Sequence, residues 1–146
     1  MLYHFGKKNL LLALTLEWLA DRSARRESDA LTQSDASRVL EDLWAWVADE
    51  LTRGELVTAF EVARQRDGMI DAVAERVARA RLLAAEKTVS EVFSKLMLRP
   101  RVPIALLAST QVAFVDGLAM QAAQRPEANH RIAFDVFWLA LLSLVE

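Results

Sequence analysis

The chain is 146 residues long, with 53% apolar and 26% charged residues and a formal net charge of −2. That length is one domain with a real core, and the composition is that of a globular protein, not a disordered one. The charge excludes a basic nucleic-acid surface over the whole chain. With no cysteine there are no disulfides and no thiolate chemistry, which fits a reducing, cytoplasmic setting. There are only four Gly and three Pro, and the apolar spacing is helical nearly throughout, so the fold class is expected to be all-α.

In chain order, Leu2-Tyr3-His4-Phe5-Gly6-Lys7-Lys8-Asn9 comes first, followed by a leucine-rich run that Glu17 interrupts. Gly6 is expected to break the chain. A helix should then run from about Lys8 to Ala20 or somewhat beyond, with Leu10, Leu11, Leu14 and Trp18 on one face. Leu-Tyr-His-Phe, a short turn, Lys and a Leu-rich helix together resemble the TetR family of bacterial transcriptional regulators. In that family the pattern joins the DNA-recognition helix to the fourth helix. Tyr3, His4, Phe5, Lys8, Leu11 and Ala13 fall on it, whereas Asn9 stands where the family often has an acidic residue. The resemblance implies that residues 1–6 are the tail of the recognition helix and its turn. Residues 7–146 are then an effector-binding and dimerisation domain, and most of the helix-turn-helix is missing before Met1. It also implies that Tyr3, His4 and Lys8 contact DNA phosphates, which position a protein without reading sequence.

Asp21 to Leu31 is a charged segment with Arg22, Arg25 and Arg26, read as solvated surface. Thr32 followed by Asp35 offers a capping-box-like start. The helix it would open is marked by Val39, Leu43, Val47 and Leu51 and ends near Gly54. Trp44 and Trp46 on that helix stand about 200° apart, so they cannot share one cavity. Trp44 is the one taken as a pocket candidate. Glu55 to Gln65 is a short helix with Leu56, Phe60 and Ala63 inward, closed by Asp67-Gly68. The longest helix should span about Ile70 to Met97, with Glu75–Arg79 and Glu91–Lys95 pairs on its wet side. Pro103 suits the first turn of the next helix.

Residues 102 to 145 read as a hairpin of two apolar helices joined by the polar link 124–131. From Ile132 to Val145 only Asp135 and Ser143 are polar, and such a helix must be covered on every side. In the first arm Ala105, Ser109, Ala113 and Gly117 make a stripe of small side chains that lets another helix approach. A membrane hairpin is the rival. However, a spanning helix needs about 20 apolar residues; the second arm is too short, and the first carries Gln111 and Asp116. The hairpin is therefore read as core and homodimer interface together, using Ala113, Gly117, Phe134, Phe137, Trp138 and Leu141.

Catalysis finds no support. His4 and His130 have no metal-ligand spacing around them, and there is no phosphate loop or nucleophile elbow. No enzyme activity, metal or cofactor is expected. Gln111 shares an inward face with Leu107, Phe114 and Leu118, and a buried amide needs a partner. Trp44, Phe60, Gln111 and Phe114 are thus the ligand-binding candidates. They imply a small apolar or weakly polar effector. With the family resemblance, the expected function is a ligand-responsive regulator, a repressor that meets operator DNA through the missing N-terminal domain. The alternative is a helical dimeric interaction module with a filled core and no ligand. An apolar cavity would favour sensing.

Overall fold

A computed structural model describes residues 2–146, with side chains from Gly6 onward. These residues form six helices: α1 (Leu2–Thr32), α2 (Val39–Arg53), α3 (Glu55–Ala63), α4 (Gly68–Lys95), α5 (Ile104–Gln124) and α6 (His130–Leu142). No strand beyond a single isolated bridge occurs among the described residues. The all-α expectation holds.

The first helix departs from expectation. It runs unbroken for 31 residues, through Gly6 and through the charged segment beyond Ala20. A glycine inside a helix costs only about 1 kcal/mol relative to Ala, which a long helix absorbs. The arginine segment stays helical because part of it is paired inward. Arg26 Nε donates to Glu50 Oε1 at 2.6 Å, and its Nη2 donates to Glu55 Oε2 at 2.6 Å. These bonds tie α1 to the end of α2 and the start of α3. Ala13, Leu16 and Leu19 form the buried side of α1, while Leu10, Leu11, Leu14 and Trp18 are exposed. Asn9 Nδ2 donates to Asp67 Oδ2 at 3.0 Å, fastening α1 to the start of α4.

Turn chemistry sets the remaining boundaries. Thr32 does not cap α2; its hydroxyl donates back to the Ser28 carbonyl. Asp35 organises that turn instead, accepting from the Ser37 hydroxyl and from the backbone N–H of Ser37 and Arg38. These donors hold its carboxyl below the usual range. Gly54, at φ 68°, ends α2 and begins α3, and a left-handed φ there suits glycine. The Asp67 carboxylate accepts from the Met69 N–H at the start of α4.

The main core gathers α2, the second half of α4, α5 and α6 around Leu43, Val89, Phe93 and Phe134. A smaller cluster, including Ala13, Leu16 and Ile70, joins the first half of α1 to α4. The helix α5 is long and apolar enough to cross a membrane by length and composition. Here it packs along α4, with Gln111 buried and Asp116 bonded to Arg81.

The hairpin corrects one expectation and refines another. First, α6 stops at Leu142, and the chain then turns so that Val145 bridges Pro100 in antiparallel fashion. Arg101 N–H donates to the Leu144 carbonyl at 2.8 Å and Glu146 N–H to the Arg99 carbonyl at 3.0 Å. Second, of the residues expected to divide between core and partner, Phe134, Trp138 and Leu141 fall on the chain's own core and Phe137 is half-buried. The reason is that α6 lies across aromatic neighbours. Trp44 and Phe134 ring centroids are 5.2 Å apart, and half-buried Phe137 stacks on Phe114 at 4.1 Å. What α6 leaves outside is Ile132, Val136 and Leu139, the last 75% exposed. The α6 helix is therefore apolar on two sides, of which this chain covers one. Ala105, Ser109, Ala113 and Gly117 of α5 are exposed as well.

Candidate ligand cavity

Small side chains recur where α1, α3, α4 and α5 face one another. Ala20, Ser23 and Ala24 come from α1, Ala59 and Ala63 from α3, and Ala74, Ala78 and Ala85 from α4. Larger residues elsewhere, such as Leu43, Phe93 and Phe134, hold the helices apart. Interiors are otherwise close-packed, so a run of alanines between spaced helices leaves room. The room is a cavity of about 490 Å³. Leu16, Leu19, Leu56, Phe60, Val77 and Val115 give it apolar walls. Of its lining residues, Ala78, Leu82, Ser109 and Ala113 are exposed and mark a mouth between α4 and α5.

Polar groups are few and deeply placed. Gln111 is 2% exposed, and its Oε1 has no hydrogen-bond partner. Trp46 is also buried, and its Nε1 is unpartnered. Glu27 reaches the cavity from α1, buried at 8% exposure. The Thr88 hydroxyl donates to its Oε1 at 2.6 Å, and the Gln111 amide lies against the same carboxylate. Burial pushes the Glu27 carboxyl up, and these donors offset only part of that rise. The amide orientation follows from this contact, because only its NH₂ group can face an ionised carboxylate. That leaves Oε1 as the free end.

Two ion-paired groups complete the lining. Glu50 is fully buried and takes both Arg26 Nε at 2.6 Å and Nη2 at 3.1 Å. The carboxylates raise the Arg26 pKa further, led by the bond to Glu50. Near the mouth, Arg81 bonds Asp116 through two contacts of 3.2 and 2.5 Å. Its guanidinium stands 6.0 Å from the Phe60 ring centroid.

Of the residues expected to bind ligand, Phe60 and Gln111 come together on the cavity wall. Trp44 and Phe114 do not line it. Trp44 packs on Phe134 beneath the Arg131 guanidinium, and Phe114 is occupied by Phe137. The opposed tryptophans indeed point apart, and Trp46 is the one that faces the cavity. Its place on the Leu43, Val47 and Glu50 side of α2 was the available signal, as i,i+3 and i,i+4 neighbours share a face. Glu27 and Glu50 were missed because charged residues were read as solvated. Yet Leu16, Ala20, Ser23 and Glu27 follow helical spacing and put Glu27 on the lining face of α1. Asp116 reaches the mouth as well. Lys8 is exposed on α1, whereas the side chains of Tyr3 and His4 lie outside the described residues. Ala113 sits at the mouth, and Gly117 is exposed with nothing within 4 Å of a Cβ built there. Comparison with protein-family models, with curated proteins and with solved structures finds no match to this chain.

Proposed function

We propose that this chain is the small-molecule-sensing and dimerisation part of a ligand-responsive transcriptional regulator of the TetR type, acting in the cytoplasm as a repressor. The observation that carries the reading is the cavity of about 490 Å³ with an unpartnered, buried Gln111 on its wall. A pocket of that size with apolar walls and a few convergent polar groups is the usual form of a small-molecule site. A pure interaction module has no use for such a space, so the cavity favours sensing over the ligand-free alternative. The effector is a small, mostly apolar molecule. The exposed Leu10, Leu11, Leu14 and Trp18 face of α1 offers a seat for a DNA-reading unit. The exposed faces of α5 and α6 offer the pairing surface for a second copy. Paired recognition helices must stand about 34–36 Å apart to meet successive major grooves. An effector that shifts α1 would therefore change operator affinity.

Two measurements test this. A thermal-shift screen with small apolar compounds should find ligands that raise the melting temperature of the wild type but not of Ala59→Phe, which fills the cavity. Equal shifts in both proteins would sink the sensing role. Reading the coding region upstream of Met1 tests the DNA-binding half. An in-frame helix-turn-helix is expected there, and its absence overturns the family assignment.

A further inference from the structure

Around the cavity, most carboxylates have an arginine. Glu50 and Glu55 share Arg26, and Asp116 holds Arg81. Glu27 differs. Its close partners are the neutral Thr88 hydroxyl and Gln111 amide, and Arg81 acts on it only at a distance. Both close partners donate, so the arrangement is built for an ionised acceptor. A buried carboxylate with no cation in hydrogen-bond contact is nevertheless costly. On the same wall, Gln111 Oε1 is a buried acceptor with no donor. Two acceptors on neighbouring lining residues, one of them anionic, thus serve an apolar space, and both lack a positively charged donor in hydrogen-bond contact.

We infer that the cavity takes a monocationic amphiphile, a protonated amine on an apolar body, whose ammonium group donates to Glu27 and to Gln111 Oε1. An ammonium carries several N–H donors and no acceptor, which matches two adjacent acceptors. A hydroxyl has one donor and supplies no charge. A carboxylate would face Glu27 with like charge. The apolar body lies on Phe60, Leu16 and Val77, and an acceptor elsewhere on a natural ligand would meet Trp46 Nε1. Sequence alone indicated an apolar or weakly polar effector, because the charged segment that holds Glu27 reads as solvated surface.

This inference rests on the cavity being the effector site, and one matched set of probes separates the two claims. Titration calorimetry on the wild-type chain at neutral pH compares 4-phenylbutylamine, 4-phenylbutanol and 4-phenylbutyrate. The amine should bind about tenfold or more tighter than the alcohol, with the carboxylate weakest. Glu27→Gln should bring amine and alcohol within about twofold of each other while the alcohol still binds. Gln111→Leu should weaken both. If the alcohol matches the amine, or the carboxylate binds best, the cationic assignment is overturned and the sensing role stands. If Glu27→Gln keeps the preference for amine, the assignment to Glu27 is likewise overturned. If none of the three binds, both claims fall. The comparison of probes uses unaltered protein, so it decides the matter even if Glu27→Gln does not fold.

Discussion

Thr88 and Glu27, sixty-one residues apart in the chain, meet across the α1–α4 boundary in a buried 2.6 Å hydrogen bond. The bond joins α1 to α4, both of which line the cavity. It also fixes which way the carboxylate points. Removing the donor leaves a buried acceptor short of one partner, which costs about 1–3 kcal/mol. Thr88→Val keeps the shape and removes only the hydroxyl, so urea denaturation should show a loss in that range. A loss near zero would mean that Glu27 finds water instead.

The same carboxyl predicts a pH dependence. Burial raises its folded-state pKa above the ordinary glutamate value. The folded chain therefore holds this proton more tightly than the unfolded chain. The resulting stabilisation is fully present below the unfolded value and is lost as pH rises through the folded one. Glu27→Gln has no such proton. Wild-type stability relative to Glu27→Gln should thus rise as pH falls from neutral into the ordinary carboxylate range, in parallel urea titrations. The opposite slope would indicate a carboxylate held by a cation.

Arg26 offers a sharper test of architecture. Glu50 is 0% exposed and depends on that guanidinium. Arg26→Met should destabilise by about 3–5 kcal/mol, because it strands a buried charge. Adding Glu50→Leu should recover much of the loss, since an apolar replacement of both partners is often nearly neutral. Chemical denaturation of the single and double variants checks this. Equal losses would show that the ion pair matters less than the side-chain volume around it.

For pairing of subunits, surface and core positions on α6 should separate cleanly. Leu139→Asp, on the exposed face, should convert a dimer to a monomer in light scattering with little loss of monomer stability. Trp138→Ala, at 2% exposure, should cost about 3–5 kcal/mol of folding stability whether or not the chain pairs. Gly117→Leu should weaken the dimer more than a change at exposed Glu127. A wild-type chain that is monomeric at micromolar concentration would end this proposal.

Much of the fold was legible because apolar spacing and turn chemistry agree. Gly54 between α2 and α3, Asp67-Gly68 before α4 and Pro103 before α5 all stand at observed boundaries. The first helix was misjudged because Gly6 and a cluster of arginines look like punctuation when their partners are unknown. Glu50 and Glu55, which keep Arg26 on a helix, lie more than twenty residues away. The cavity was half legible. Phe60 and Gln111 follow from helical phase, and so does Trp46 beside Leu43 and Glu50, but nothing within α2 says that α6 covers Trp44. Phe114 was lost to Phe137 in the same way. Which apolar face meets which is a property of the packing, and spacing within one helix does not contain it.

The unbroken course of α1 has a mechanical meaning. Glu27, against the cavity, and Lys8, near the other end, lie on one rod with no hinge between them. Nineteen residues of helix separate them, about 28 Å at 1.5 Å per residue. A tilt of about 5° at Glu27 therefore carries Lys8 through about 2.5 Å, simple trigonometry on that length. A displacement too small to notice beside Glu27 becomes, at the far end, comparable to the length of a hydrogen bond.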